Sequence, residues 1–350
     1  MSAKYAALAC ALLLGTAPTM SRAQPGDDSW TLNLYLENDL FADTDQQYTN
    51  GVRASWVSPV IDSFIDDPAI PAWIRSANRT LSVLDPQPAK FEKEPSRRLI
   101  ITLGQQMYTP ADRERTTLDP DDRPYAGWLY LGFGYHTQTR HKLNSFEANL
   151  GVVGPWSLAE ESQNLIHDLR GFKRFKGWDN QLHNEPGIQL IYEYKQRLLF
   201  GGLFDNFQHD LIGHAGGSLG NVATYLNTGA EYRIGYNLPL DFGTSALRTG
   251  GDNSTPMSVD PRLHNEWGIH TFLSLDGRWV LRDIFLDGNS FRDSHSVDKE
   301  PLVGDAAWGV AATWNHWKLS LARYYRSEQF RDQDGSHKFG SIALSYSFRP

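Results

Sequence analysis

The sequence has 350 residues, one cysteine and a net charge of −8, and it is 40% hydrophobic and 21% charged. Beyond the N-terminal segment it has no apolar run of the roughly 18 residues that a membrane-crossing helix needs, which excludes a helical bundle. One cysteine excludes disulfide and zinc–cysteine frameworks, and the negative charge argues against a nucleic-acid-binding surface.

Residues 1–23 read as a cleaved signal peptide. Lys4 gives the positive start, Ala6–Leu14 the apolar core, and Ser21-Arg22-Ala23 the small-residue cleavage site. Residues 24–350 then form a single exported domain, in an outer membrane or a periplasm, whose lone cysteine, Cys10, leaves with the leader.

From residue 30 onward the apolar period is two. The first segment, Trp30 to Glu37, sets Leu32, Leu34 and Leu36 against Thr31, Asn33 and Glu37. Comparable segments follow at 49–56, 97–107, 126–136, 144–153, 186–197, 207–216, 222–235, 265–276, 306–314, 316–328 and 338–348. Alternation of this kind marks strands with one buried and one exposed face. Many of these segments match the roughly 9–11 residues of a tilted membrane strand. Their polar faces carry Glu37, Arg53, Glu147, Glu193, Glu231 and Arg233, which a sandwich core would not accept, interleaved with Gly132, Gly134, Gly151 and Gly229. The pattern predicts an all-β protein, a transmembrane antiparallel barrel of about 12 strands with a polar interior. Trp30, Trp56, Trp128, Trp267, Trp308, Trp314, Trp317 and Phe348 are expected near the membrane interfaces.

If both termini lie in the periplasm, the connections near 39–47, 108–125, 154–185, 217–221, 277–305 and 329–337 are extracellular. The two long opposite connections, 58–96 and 236–264, suggest no function.

Three polar clusters fall at the extracellular end. Glu37-Asn38-Asp39 closes the first strand, with Asn38 directed outward and its neighbours inward. Tyr48-Thr49-Asn50-Gly51 opens the second, so Asp39 and Thr49 can meet across one hairpin. The third is a helix inside the 154–185 connection. A Ser157/Glu160 capping box would start it and Gly171 would stop it. Leu158, Leu165 and Leu169 form its apolar stripe, opposite Glu160, Gln163, His167 and Arg170. Gln163 and His167 are one turn apart, and a histidine is suited to proton transfer near neutral pH. A polar turn and a solvated helix face would account for the same spacings.

Taken in order, Glu37-Asn38-Asp39, Tyr48-Thr49-x-Gly51, Asp122-Arg123-x-Tyr125-Ala126-Gly127-Trp128, Gly151-Val152-Val153-Gly154-Pro155, Gln163-Asn164-x-x-His167 and Lys176 to Gln181 resemble the outer-membrane lipid A 3′-O-deacylase family (LpxR type). The resemblance runs from about residue 30 to the C-terminus. It implies a twelve-stranded barrel, acting as a monomer, whose calcium-dependent esterase site cuts the 3′-acyloxyacyl chain of lipid A in the outer leaflet. It makes His167 the general base that activates water, with Gln163 shaping the site. Asp39 would help hold Ca2+, with Asn38 and Thr49 positioning the metal or the ester oxygen. Two positions depart from the family. Lys173 replaces an acidic residue six places after the histidine. A basic pair after Tyr108-x-Pro110 is present only in part, as Arg113 and Arg115. A phospholipase acting on glycerolipids and a non-catalytic barrel or pore remain the alternatives.

Overall fold

Strands that are apolar on one face and charged on the other are satisfied when hydrocarbon meets the first face and an enclosed lumen the second. The computed structural model describes residues 29–38, 47–61, 95–244 and 266–348, with single positions at 63, 64, 67, 72, 75, 76 and 255. Among the described residues, twelve antiparallel strands close into a barrel. They are β1 (Trp30–Asn38), β2 (Gln47–Val57), β3 (Ser96–Thr109), β4 (Ala126–Gln138), β5 (Lys142–Val153), β6 (Glu185–Phe204), β7 (Phe207–Gly220), β8 (Ala223–Tyr236), β9 (Trp267–Asp283), β10 (Leu302–Trp314), β11 (Trp317–Arg326) and β12 (His337–Phe348). Each pairs with its sequence neighbours, and β1 closes on β12 from Trp30↔Phe348 to Asn38↔Gly340. Closure leaves no free sheet edge. The expected signal peptide, with Cys10, lies outside the described residues, as does most of 58–96.

The alternation resolves as expected. Glu37, Arg53, Glu147, Glu193, Glu231 and Arg233 are buried in the lumen, while Leu131, Leu150, Leu226, Leu273 and Leu275 are exposed on the outside. Arg53 donates to Glu147 across the lumen at 2.8 Å. His214 bridges Glu193 at 2.6 Å and Asp276 at 3.3 Å. Removing one partner of such a buried pair leaves an uncompensated charge, at a cost of about 3–5 kcal/mol. Gly104 is required by close approach, because a Cβ there would lie 2.3 Å from the ring of Tyr130.

Several strands outrun their predicted ends. β6 continues from 197 to Phe204, β9 runs on from 276 to Asp283, and β10 starts at Leu302. Outward positions in these stretches stay apolar, as at Leu199, Trp279, Leu281 and Leu302, but bulges at Arg197/Leu199 and Gly202/Phe204 in β6 and the glycines Gly277 and Gly304 interrupt the period. Two aromatics are also not interfacial anchors. Trp128 is buried in the lumen, stacked on Tyr130 at 4.2 Å, and Trp308 sits in the middle of β10. An aromatic rim does form at the end carrying the termini. There Trp314 is in register with Trp267 and Trp317, and Trp317 stacks on Tyr346 at 4.2 Å.

At this same end the chain after β8 folds back into the lumen. Leu238, Leu240, Asp241, Phe242 and Thr244 are buried. The Asp241 carboxylate accepts from Arg233 at 2.5 Å and from Lys318 at 2.6 Å, and its carbonyl accepts from Arg197 at 2.5 Å. Lys195 donates to the Phe242 carbonyl and Thr244 Oγ1 to Glu231. Part of the long 236–264 connection is therefore a charge-anchored plug. The site described next lies at the opposite end.

Candidate active site

The connection from β5 to β6 begins with Gly154 and a short 3-10 turn, Pro155–Ser157. Leu158 follows in the left-handed region at φ 57°, and α1 (Ala159–Arg170) begins. The expected Ser157/Glu160 capping box does not form, because Leu158 occupies the cap and Ser157 belongs to the preceding turn. The stop is as expected. Gly171 adopts φ 71°, and the amides of Gly171 and Phe172 donate to the carbonyls of Asp168 and His167.

Alternation shows which side of the wall α1 occupies. On β3 and β4 the residues Tyr108, Ala126, Trp128 and Tyr130 belong to a cluster inside the barrel. The intervening positions Met107 and Gly127 therefore point outward. Met107 packs with Tyr125, Ala159, Phe175 and Trp178 in a separate cluster. Gln105, also outward, donates to the Ser157 carbonyl at 2.6 Å. A Cβ on Gly127 would lie 2.2 Å from Ser157 Oγ and 2.3 Å from the Ala159 Cβ, so only glycine admits the helix here. The helix thus packs on the outside of β3 and β4 rather than in the lumen. Register extends this outer row across the wall, from Gly127 to Met107, Asn50, Asn38 and Gly340.

The helix turns its polar stripe to the wall. Ala159, Gln163 and His167 are buried, whereas Leu158, Leu165 and Leu169 are exposed. A solvated polar face with an inward leucine stripe would be the opposite arrangement. His167 Nδ1 lies 2.6 Å from the backbone carbonyl of Lys173. A carbonyl only accepts, so Nδ1 carries the proton and the lone pair of the neutral ring resides on Nε2. Phe172 and Phe175 meet the ring edge-on at 6.0 and 5.7 Å. One turn earlier, Gln163 Oε1 accepts from Trp178 Nε1 at 2.8 Å. That bond directs Gln163 Nε2 the other way, buried and without a hydrogen-bond partner.

The segment after α1 is strapped in place. Arg174 forms a two-pronged pair with Asp168. Lys176 and Lys173 reach Glu114 at 2.5 and 3.4 Å, and the Lys176 amide donates to the Arg113 carbonyl. These cations hold the carboxyls of Asp168 and Glu114 below their usual values. Burial, then Glu161 and Asp179, raises Glu160, and burial pushes Tyr125 up to about 12. An open groove of about 700 Å³ runs between this strap, α1 and the 110s loop, past Glu160, Asn164, Phe175 and Trp178.

Of the residues expected at the site, Gln163 and His167 come together under the helix. Asn38 is the last residue of β1 and is buried, unlike the other even-numbered positions of that strand. It stands two strands from Met107, about 10 Å at the usual strand spacing. Thr49 lies in β2 where the register with β3 shifts between Tyr48 and Asn50. Asp39 lies outside the described residues. Among the described residues no group of three His, Cys, Asp or Glu is placed to hold a metal. Sequence reasoning missed the Lys173 carbonyl, which has no side-chain signature. The motif included Gly127, but its role in admitting the helix through close approach to Ser157 and Ala159 comes only from the fold.

A closed twelve-strand barrel with an apolar outside, a charged inside and a helix docked on its outer wall is an outer-membrane β-barrel protein. The family model for outer membrane protein LpxR matches residues 7–348. The chain belongs to that family. No curated protein matches the sequence. Among solved structures, LpxR from Salmonella typhimurium superposes with a TM-score of 0.68 at 16% identity, over 90% of this chain and 99% of that one. The beta domain of the Bordetella autotransporter BrkA gives a TM-score of 0.44 at 8% identity, over 91% and 99%.

Proposed function

We propose that this protein is a lipid A 3′-O-deacylase that hydrolyses the ester of the 3′-acyloxyacyl chain at the extracellular end of the barrel. Family membership and the motif resemblance supply the substrate. The observation that carries the chemistry is the His167 Nδ1 contact with the Lys173 carbonyl, which leaves Nε2 as a base.

A water beside Nε2 gives up a proton to the imidazole as its oxygen attacks the ester carbonyl. Gln163 Nε2, a buried donor with no protein partner, hydrogen-bonds the carbonyl oxygen as it becomes an oxyanion. Collapse of the tetrahedral species breaks the bond to the sugar oxygen, which takes the proton back from the imidazolium. The products are a free fatty acid and a sugar hydroxyl. The Lys173 carbonyl keeps the ring in one tautomer throughout, standing in for the acidic side chain that the family pattern places at 173.

The donors at this end suit a hard cation. Asn38 supplies a carboxamide oxygen at the end of β1, next in the chain to Asp39. Together they would hold Ca2+ through oxygen alone. When bound, the ion would add Lewis-acid stabilisation of the oxyanion.

Mass spectrometry of lipid A from cells expressing the protein tests this reading, with His167→Ala and calcium chelation as comparisons. Loss of the 3′ chain with the wild type, and its retention with His167→Ala, supports the proposal. Intact lipid A with calcium supplied overturns it. Fatty acid released from glycerophospholipids instead identifies a phospholipase.

A further inference from the structure

Among the described residues, the outward side of α1 has no partner that would account for its composition. At 100° per residue, Leu158, Leu165 and Leu169 lie opposite the buried Gln163 and His167. Trp156 and Leu169 are 72% and 78% exposed, and Phe172 adds a further exposed ring. An apolar surface of this size facing water would be costly, and on a soluble monomer it would mark an interaction site.

The place of the helix on the wall says what covers it. It packs beside Gln105, Met107 and Gly127, all on the lipid side of the barrel. Further down the same strands the outward residues Leu103 and Leu131 are exposed to the hydrocarbon belt. At about 3.3 Å per residue, Leu103 lies only about 7 Å below Gln105 and Leu131 about 13 Å below Gly127. The leucine stripe therefore continues the belt upward. Arg170 closes the helix, and Lys173 and Arg174 follow it around Phe172, paired with Glu114 and Asp168. An apolar helix face with cationic side chains just beyond its end suits a membrane interface.

We propose that α1 is an interfacial helix whose leucine stripe is immersed among the acyl chains of the adjacent leaflet, with its basic flank at the headgroups. The barrel's membrane setting carries this proposal; the identification of that leaflet as the outer one rests on the function proposed above. The immersion places His167 between the barrel wall and the lipid, at the level where acyl esters lie, so that a lipid substrate can reach the base by lateral diffusion.

Spin labelling tests it directly. In a Cys10→Ser background, nitroxide labels are placed by Leu165→Cys and Leu169→Cys. Leu131→Cys serves as the belt reference and Asp121→Cys as the water reference. The proteins are reconstituted in phosphatidylethanolamine/phosphatidylglycerol vesicles, and heat-modifiable gel migration reports that each barrel is folded. The expected result is collision with oxygen at 165 and 169 close to that at 131, and collision with nickel-EDDA several-fold below that at 121. Nickel accessibility equal to that at 121 overturns the proposal. So does dipolar broadening between labels that disappears on dilution with unlabelled protein, which would mean that a second copy covers the face. Because these readouts do not depend on turnover, an inactive enzyme with an immersed helix would refute the deacylase reading alone.

Discussion

His167 is held by an acceptor that no side-chain substitution removes. Because the Lys173 contribution is its carbonyl, Lys173→Ala is expected to retain activity within a few-fold of wild type. His167→Ala is expected to lose about 10²–10⁴-fold, the usual worth of a general base. Steady-state assay of acyl release from purified lipid A separates the two. Gln163→Ala removes the unpartnered donor and is expected to lower kcat by about 10²–10³-fold, the scale of a lost oxyanion donor. A loss confined to KM would instead assign Gln163 to ground-state binding. At this scale the sequence located the histidine and the glutamine through their spacing and the family motif. It could not locate the carbonyl partner, since any residue at 173 offers one. It also misplaced the cap, because a left-handed leucine at 158 has no compositional signal.

Helix α1 and the strap behind it form the element that joins these residues to the wall. Gly127→Val would drive a side chain into Ser157 and Ala159 and is expected to abolish activity by displacing α1. The barrel should remain intact, as gel migration of the folded form would verify. The strap depends on charge. Asp168 and Glu114 are held below their usual values by Arg174 and by Lys176 with Lys173. Their contribution is therefore complete above the ordinary carboxylate range and is lost as pH falls through the lowered values. Hydrogen-exchange protection factors across residues 171–176 are expected to drop in that acid window while those of the strands stay high. The helix itself was legible from its 3.6-residue pattern and its stop glycine. Which face it buries was not. A polar stripe turned inward is the reverse of a helix on a hydrophobic core, and it becomes intelligible only once the partner surface is the outer wall of the barrel.

At the scale of the whole molecule, the twelve-strand barrel could be read from period-two alternation and from charges confined to one face. Strand ends were less legible, because bulges in β6 and a glycine in β9 interrupt the alternation before pairing ends. The plug was not legible at all. Its anchors, Arg233 and Lys318, sit on strands β8 and β11, and their convergence on Asp241 is a product of the fold. With that end of the lumen filled, the wild-type protein is expected to show no steady conductance in planar bilayers. Asp241→Ala removes a buried carboxylate from Lys318 and from Arg233, which keeps Asp210, and is expected to destabilise the barrel by about 3–5 kcal/mol. It should lower the temperature at which the folded gel band is lost. The central claim concerns the outer wall and not the lumen: the base beneath α1 removes an acyl chain from lipid A. The most direct measurement is the mass of lipid A from cells expressing wild type or His167→Ala, with calcium supplied. The account predicts loss of the 3′-acyloxyacyl group with the wild type alone. Identical, fully acylated lipid A from both would contradict it.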